Sequence, residues 1–175
     1  GSEMCIRDSL DAVAAVNPNV VVLLSAGAPV ETPWVGRCKA LVYGALGGQA
    51  GAGAAADILT GKLCPCGKLS QTWAKAYDDT PAKANFGGEG RNVEYREGLY
   101  VGYRYYQTAG VKPAFPFGYG LSYTTFTQKM SDITNDGADL KFSVTVTNTG
   151  SVAGKDVVEI YSDPPYTNGG IEKAS

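Results

Sequence analysis

The sequence of 175 residues contains no histidine. Ser-His-Asp and Cys-His catalytic sites need an imidazole as general base, so neither can be assembled from this chain alone. Zinc sites commonly use histidine or C-x2-C pairs, whereas Cys64 and Cys66 form a C-x-C sequence. We therefore expect no metal site, and carboxylates remain the candidate acids and bases.

Charge is also scarce. Charged residues make up 18% of the chain, apolar residues 44%, and the net charge is −2. This composition is typical of a folded globular protein rather than a disordered one. Lys and Arg are scattered among 17 carboxylates. Since no basic stripe exists to displace phosphate counterions, we expect no nucleic-acid partner.

The longest stretch without charge runs from Ala12 to Val30, which is long enough to suggest a membrane span. Asn17-Pro18-Asn19 is a turn signal in its middle, and it divides the stretch into a helix and a buried strand. The sequence therefore predicts no membrane partner.

Disulfides are not expected. The chain has four cysteines, and two cysteines only two positions apart are poorly placed to bond each other. We interpret Cys5, Cys38, Cys64 and Cys66 as free thiols, which favours a cytoplasmic location.

The first nine residues, GSEMCIRDS, show no hydrophobic periodicity. We interpret residues 1–9 as a non-native or scar segment and exclude them from the fold. The first helix is then predicted over LDAVAAVN, with Ser9 as its N-cap and Pro18 closing it.

Two apolar runs alternate with helices. Val20–Leu24 is typical of a strand buried on both faces, and Lys39–Leu46 repeats the pattern. An alanine-rich helix follows from Ala50 and stops at Gly61. This order predicts parallel strands in part of a layered α/β/α sandwich.

The segment Gly51–Ala56, GAGAAA, fits a G-x-G-x-x-A dinucleotide-binding fingerprint. That fingerprint also needs an acidic residue about 20 positions later, where this chain has the loop CPCGKLS. Close packing of a small-residue helix explains the glycines and alanines equally well, so we expect no cofactor.

A long loop runs from Pro65 to Glu97, and loops of this length are often functional. A buried glutamate beside tyrosines could have a shifted pKa and act as an acid. The favoured alternative is an Arg-Glu pair that fastens the loop to the sheet. The charged residues concerned are Glu89, Glu94, Glu97, Arg91, Arg96 and Arg104.

After Tyr123 the periodicity changes to alternation. Leu140, Phe142, Val144 and Val146 fall on one side of a predicted strand, and KDVVEIYSDPP predicts another. Both are typical of an antiparallel sandwich. About three strands are present where an immunoglobulin-like sandwich has about seven. We expect a truncated all-β domain whose uncovered apolar face favours self-association.

Glycines separate the aromatic residues of FPFGYGLSYTTF, from Phe115 to Phe126. Gly118 and Gly120 would weaken a regular strand, so we predict a turn.

Several segments together resemble the C-terminal region of glycoside hydrolase family 3, which contains many bacterial β-glucosidases. The resemblance is carried, in order, by ALGGQAGAGAAADILTGKLCPCGKLSQTW, YREGLYVGYRYY, FPFGYGLSYTTF, NTGSVAGKDVVEIY and PPYTNGGIEK. It implies a partial α/β domain over residues 10–122 and a truncated fibronectin-III-like domain over residues 123–175. The aromatic turn is then a hinge that packs against both domains.

The resemblance implies a retaining enzyme with two carboxylates about 5 Å apart. Its nucleophile belongs to a TIM-like barrel absent from this chain, and its acid/base glutamate lies in an upstream context that Glu3 and Asp8 do not match. We therefore expect no catalytic residue here. Cys64 and Cys66 also replace the Asn and Ser that are usual in the family.

The parent enzyme is expected to hydrolyse terminal, non-reducing β-linked sugars, with this segment inactive alone. It would serve as scaffold, with Tyr95, Glu97 and Arg104 as candidate substrate-binding residues in the wall of the sugar site. The alternative is a non-catalytic module, in which the loop from Tyr77 to Glu97 and nearby tyrosines bind sugar or a partner protein.

Overall fold

The computed structural model describes residues 2–88 and 90–162, with side chains from Arg7 onward. Helices and small two-stranded sheets make a mixed α/β structure. The elements are α1 (Ser2–Val16), β1 (Val21–Leu24), β2 (Ala40–Tyr43), α2 (Gly51–Leu59), α3 (Tyr103–Ala109), β3 (Phe126–Met130), β4 (Thr134–Asn135), β5 (Leu140–Lys141) and β6 (Val144–Asn148), with short 3-10 turns at Val35–Arg37 and Tyr77–Asp79.

Strands β1 and β2 pair in parallel, from Val21 opposite Ala40 to Leu24 opposite Tyr43. This confirms the predicted parallel pair. The expectation that β1 is buried on both faces is wrong, because Leu24 is buried while Val21 and Leu23 are each about half exposed. Alternate residues of a strand point to opposite faces, and only one face of β1 is covered by the described residues.

Helix α1 begins at Ser2, so the prediction that Ser9 caps it is wrong. Ser9 lies inside the helix. Met, Glu and Arg are good helix formers and explain why SEMCIRDS is helical although it lacks hydrophobic periodicity. The end was predicted correctly, since Pro18 follows shortly after Val16. Among the described helices, none is long and apolar enough to cross a bilayer.

Helix α2 confirms the alanine-rich prediction. It ends as expected, since the amide of Gly61 donates to the carbonyl of Ile58 at 3.0 Å and Gly61 has a φ of +75°. The hydroxyl of Tyr123 donates to that same Ile58 carbonyl at 2.9 Å. The aromatic turn is therefore attached to the end of α2.

Trp73 is the centre of the small core and is only 1% exposed. Its ring lies edge-on to Tyr43, with centroids 4.9 Å apart, and to Phe115 at 6.1 Å. The amide of Trp73 donates to the Phe115 carbonyl at 2.8 Å. Trp73 and Phe115 also form an isolated antiparallel bridge.

Phe115–Phe126 forms a turn, as predicted, up to the first residue of β3. The amide of Tyr119 donates to the Pro116 carbonyl at 3.1 Å, and Gly118 has a φ of +77°. Phe117 packs on Tyr103 of α3, with ring centroids 5.3 Å apart. The aromatic side chains thus pack the turn against neighbouring segments.

Beyond the turn, β3 pairs antiparallel with β6 and β4 with β5. The predicted antiparallel pairing is confirmed, although the alternating segment is interrupted between β5 and β6. The prediction of a strand in KDVVEIYSDPP is wrong for residues 155–162, which form no strand. Instead, the Gln128 side chain donates to the Val157 carbonyl at 3.0 Å. Residues 163–165 of that segment lie outside the described residues.

Within the described side chains, Cys38, Cys64 and Cys66 are free thiols. The Cys64 sulfur lies 3.1 Å from the Ser122 hydroxyl, and the Cys38 thiol donates to the Val35 carbonyl at 3.2 Å. Burial raises the pKa of Cys38. The Cys38 and Cys64 thiols therefore take part in local contacts, and the Cys5 side chain lies outside the described residues.

Candidate functional site

A cavity of about 400 Å³ lies between the turns that follow residue 77 and helix α3. This volume falls near the lower end of the range of about 300–1,000 Å³ that is common for small-molecule sites. Polar side chains and two tyrosines line the cavity. These residues are Asp78, Thr80, Lys83, Asn85, Arg96, Glu97, Tyr100 and Tyr105, together with Pro81 and Ala84.

One wall is held by a short 3-10 turn at Tyr77–Asp79. The carboxylate of Glu31 accepts a hydrogen bond from the Tyr77 amide at 2.5 Å. Next along the chain, the amide of Lys83 donates to the Thr80 carbonyl at 3.1 Å. These contacts place Asp78, Thr80 and Lys83 along one side of the cavity.

The opposite wall is formed by α3, which is bounded by Gly102 and Gly110 with φ values of +58° and +66°. Tyr106 is buried, and Tyr105 lies edge-on to it with ring centroids 5.3 Å apart. Burial raises the pKa of Tyr106, and the nearby charge of Asp79 acts in the same direction. Because Tyr106 fixes the helix in the core, Tyr105 is held at the cavity wall.

Both cations of the cavity wall are already paired with carboxylates. Lys83 forms an ion pair with Asp78, and Arg96 forms one with Glu94. In contrast, the carboxylate of Glu97 makes no hydrogen bond or ion pair with any described residue. Glu97 is therefore the cavity carboxylate that remains free to accept hydrogen bonds.

Of the three residues predicted to bind substrate, the structure places only Glu97 in the cavity. Tyr95 is 88% exposed, and Arg104 is half-buried on α3 beside Tyr105 without lining the cavity. Their role in a sugar site stays a prediction. Among the described residues the Arg-Glu pair is Arg96 with Glu94, and both lie in the loop, so this pair does not fasten the loop to the sheet. A pair made by Glu89 would lie outside the described residues and stays a prediction.

The sequence indicated the loop from Tyr77 to Glu97 as a whole but did not single out the side chains of the other wall, and Glu89 lies outside the described residues. The missed side chains are in the segment DDTPAKAN, which resembles an ordinary turn sequence. An Asp and a Lys five positions apart, Asp78 and Lys83, were the available signal. The position of this turn opposite α3 could not be predicted from the sequence alone, because the two segments are far apart along the chain.

Comparison with known families gives an independent result. The model of the glycosyl hydrolase family 3 C-terminal domain matches residues 5–123. This match covers more than half of the chain, and it begins inside the nine-residue segment interpreted as non-native.

Curated relatives show the same similarity. The chain is 48% identical over 158 residues to thermostable β-glucosidase B of Acetivibrio thermocellus, covering 87% of this chain and 21% of the relative. It is 43% identical over 178 residues to probable β-glucosidase I of Aspergillus flavus, and the match covers 95% of this chain and 20% of that relative. The chain therefore spans about a fifth of the length of these relatives. Both bacteria and fungi are represented, so the similarity does not favour a bacterial source.

The fold is also similar to a solved structure. The β-glucosidase of Kluyveromyces marxianus in complex with glucose matches with a TM-score of 0.80 and 45% identity. The match covers 83% of this chain and 18% of that protein.

Proposed function

Because the chain belongs to the glycosyl hydrolase family 3 C-terminal domain family, we propose that it is part of a β-glucosidase-like glycosidase. The complete enzyme would hydrolyse terminal, non-reducing β-linked sugars without a cofactor. The observation that carries this proposal is the 48% identity to a β-glucosidase across 87% of the chain.

In this enzyme the chain serves as scaffold. Residues 10–122 would belong to a layered α/β domain and residues 123–175 to a fibronectin-III-like domain, with the aromatic turn as the hinge. The parallel pair β1–β2 before the turn and the antiparallel pair β3–β6 after it support this division.

The described part of the chain does not supply the hydrolytic chemistry. Asp78 and Glu97 both line the cavity, but a glycosidase acid needs a raised pKa, usually from burial. The Asp78 side chain is 75% exposed and forms an ion pair with Lys83, so it lacks the burial that such an acid needs. We therefore propose that a retaining mechanism, with its two carboxylates about 5 Å apart, depends on residues elsewhere in the enzyme.

The test is to incubate the purified chain with an aryl β-glucoside. We expect no turnover above buffer. Turnover that is abolished by Asp78→Asn or Glu97→Gln, but retained by Asp57→Asn on helix α2, would contradict the proposal.

A second function is favoured by the cavity itself: the binding of sugar without chemistry. Free hydrogen-bonding groups beside a fixed aromatic ring suit a carbohydrate. Tyr95 and Arg104 would contribute to such a wall only by moving from their described positions, so Glu97 is the principal candidate.

A further inference from the structure

We propose that residues Gly154–Tyr161, which follow β6, form a strap that fixes the second half of the chain on the first half and positions helix α3. The first half runs from α1 to the aromatic turn, and the second half begins at β3. The strap depends on contacts within the chain and not on a glycosidase activity. With the strap in place, the aromatic turn is a fixed joint rather than a free hinge.

The first end of the strap is attached to the CPCGKLS loop. Gly154 lies against this loop, because a Cβ atom at Gly154 would be 3.2 Å from the sulfur of Cys64. Two residues later, an oxygen of Asp156 lies 3.7 Å from the ammonium nitrogen of Lys68. The Asp156 side chain is 12% exposed and the Lys68 side chain 23%, so water screens their attraction less than it screens an exposed pair. This end therefore contacts the loop through both shape and charge.

The other end is attached to the aromatic turn and to α3. The carboxylate of Glu159 lies directly on Gly118, where any Cβ atom would collide with it. The hydroxyl of Tyr161 donates to that carboxylate at 2.6 Å. The ring of Tyr161 meets Tyr103 of α3 edge-on, with ring centroids 5.6 Å apart. The hydrogen bond to Glu159 thus orients the ring that contacts the helix.

The strap has little other support among the described residues. It forms neither a helix nor a strand, and none of its backbone groups is hydrogen-bonded to the backbone of another described residue. Its side chains Val157 and Ile160 are 45% and 66% exposed. On the side of the second half, Gln128 of β3 donates to the Asp156 carboxylate and to the Val157 carbonyl. The attachment of the strap to the first half therefore depends on its two ends.

Helix α3 depends on contacts of this kind. It has seven residues, and isolated helices shorter than about 12–15 residues are marginal in water. Tyr106 is its only buried residue. At its first turn, Tyr103 contacts Phe117 of the aromatic turn at a centroid distance of 5.3 Å and Tyr161 of the strap at 5.6 Å. Loss of the Tyr161 ring would remove one of these two aromatic contacts.

Hydrogen exchange of the full 175-residue chain tests the effect of the strap on α3. Tyr161→Ala should speed exchange at residues 107–111 by about three- to tenfold, which is the contribution expected of an aromatic pair. The pair β1–β2 makes none of the strap contacts and should keep its exchange rates. Ile160→Ala, the matched control, removes an exposed side chain of the strap and should change neither region. If Tyr161→Ala does not fold, Tyr161→Leu should give the same pattern with a smaller increase.

A double-mutant cycle tests whether the two ends act as one unit. Asp156 and Tyr161 share no partner among the described residues, so two independent contacts would have additive effects. A strap makes them interdependent, because release of one end loosens the other. Asp156→Ala should therefore speed exchange in α3 by at least about twofold, although Asp156 does not contact this helix. It should add nothing further once Tyr161 is replaced by alanine.

Backbone 15N relaxation tests the fixed joint. In the unaltered chain, β1–β2 and β3–β6 should tumble with one correlation time. In the variant that combines Asp156→Ala with Tyr161→Ala, the two strand pairs should tumble separately. Separate correlation times in the unaltered chain, or a single one in the double variant, would overturn the proposal. It would also fail if Asp156→Ala left α3 exchange unchanged, or if the increase in Tyr161→Ala were matched at β1–β2 or by Ile160→Ala.

Discussion

The ammonium group of Lys68 donates a hydrogen bond to the carbonyl of Gly120 at 2.7 Å, across 52 positions of sequence. The same ammonium lies 3.7 Å from a carboxylate oxygen of Asp156. The side-chain amide of Gln128 donates to the other Asp156 oxygen at 2.8 Å. One lysine thus joins the CPCGKLS loop, the aromatic turn and the segment that follows β6.

The first prediction concerns the pH dependence of this contact. The hydrogen bond from Gln128, with a smaller effect from Lys68, lowers the pKa of Asp156 below its ordinary value of 3.8. A carboxyl group with a lowered folded-state pKa stabilises the fold above its unfolded pKa, and this stability is lost as the pH falls through the folded value. Asp156→Asn should therefore be less stable than the unaltered chain at pH 7, with the difference shrinking below pH 3.8.

Chemical denaturation between pH 2 and pH 7 measures this difference. Gln128→Ala should move the loss of stability to higher pH, because it removes the largest cause of the lowered pKa. A stability difference for Asp156→Asn that is constant over the whole range would contradict the prediction.

The second prediction concerns the close packing of Gly120. A Cβ atom at this position would collide with the carbonyl oxygen of Gly67, which is backbone and cannot rotate away. Gly120→Ala should lower the free energy of unfolding by about 1–3 kcal/mol, as overpacking does elsewhere.

Gly53→Ala is the matched control, since a Cβ at Gly53 meets nothing within 4 Å. Because Gly53 lies in α2, alanine should stabilise the fold by about 0.5–1 kcal/mol. Thermal unfolding of the two variants should show a lower unfolding temperature for Gly120→Ala and a higher one for Gly53→Ala. Equal changes in stability for the two variants would show that the carbonyl of Gly67 does not constrain Gly120.

The third prediction concerns Trp73. Its ring joins Tyr43 of β2 to Phe115 of the aromatic turn. Trp73→Ala should reduce the free energy of unfolding by about 3–5 kcal/mol, because the void left by the indole ring removes its contacts with Tyr43 and Phe115. Trp73→Phe should reduce the free energy of unfolding by less than Trp73→Ala does. Equal unfolding midpoints for the alanine variant and the unaltered chain would contradict the central position of Trp73.

The fourth prediction concerns self-association. Leu140 is 64% exposed and Val146 is 41% exposed, on short strands of the second half. Sedimentation velocity should show association that increases with concentration. Leu140→Lys with Val146→Lys should reduce it, whereas Thr145→Lys with Thr147→Lys adds the same charge to the other side of the strand and should have less effect. A monomer at every concentration would refute the prediction.

The sequence predicted the elements that depend on local pattern. The apolar runs of β1 and β2, the alanine-rich α2 and the turn at Phe115–Phe126 were all recognised from periodicity, composition or glycine placement. The start of α1 was missed because its polar first turns carry no apolar stripe. Helix α3 was missed because its three tyrosines and neighbouring glycines match neither a helical nor an alternating pattern.

The candidate site was only partly predictable. Glu97 was identified by its charge and its place in a long loop, but Tyr95, two positions before it in sequence, faces solvent. The pairing of Lys83 with Asp78 depends on how the turn folds, and the placement of both opposite Tyr105 depends on long-range packing. Residue type alone could not show which groups remain free for a ligand.

The most direct test of the central claim, that this chain is a supporting segment of a β-glucosidase-like enzyme, is a segment exchange. Residues 10–162 would replace the equivalent segment of thermostable β-glucosidase B from Acetivibrio thermocellus, to which the chain is 48% identical. The measurement is kcat/KM for an aryl β-glucoside. We expect the chimera to retain activity within about tenfold of the unaltered enzyme, a loss of at most about 1.4 kcal/mol in transition-state stabilisation. A chimera that unfolds cooperatively yet has no activity would contradict the claim.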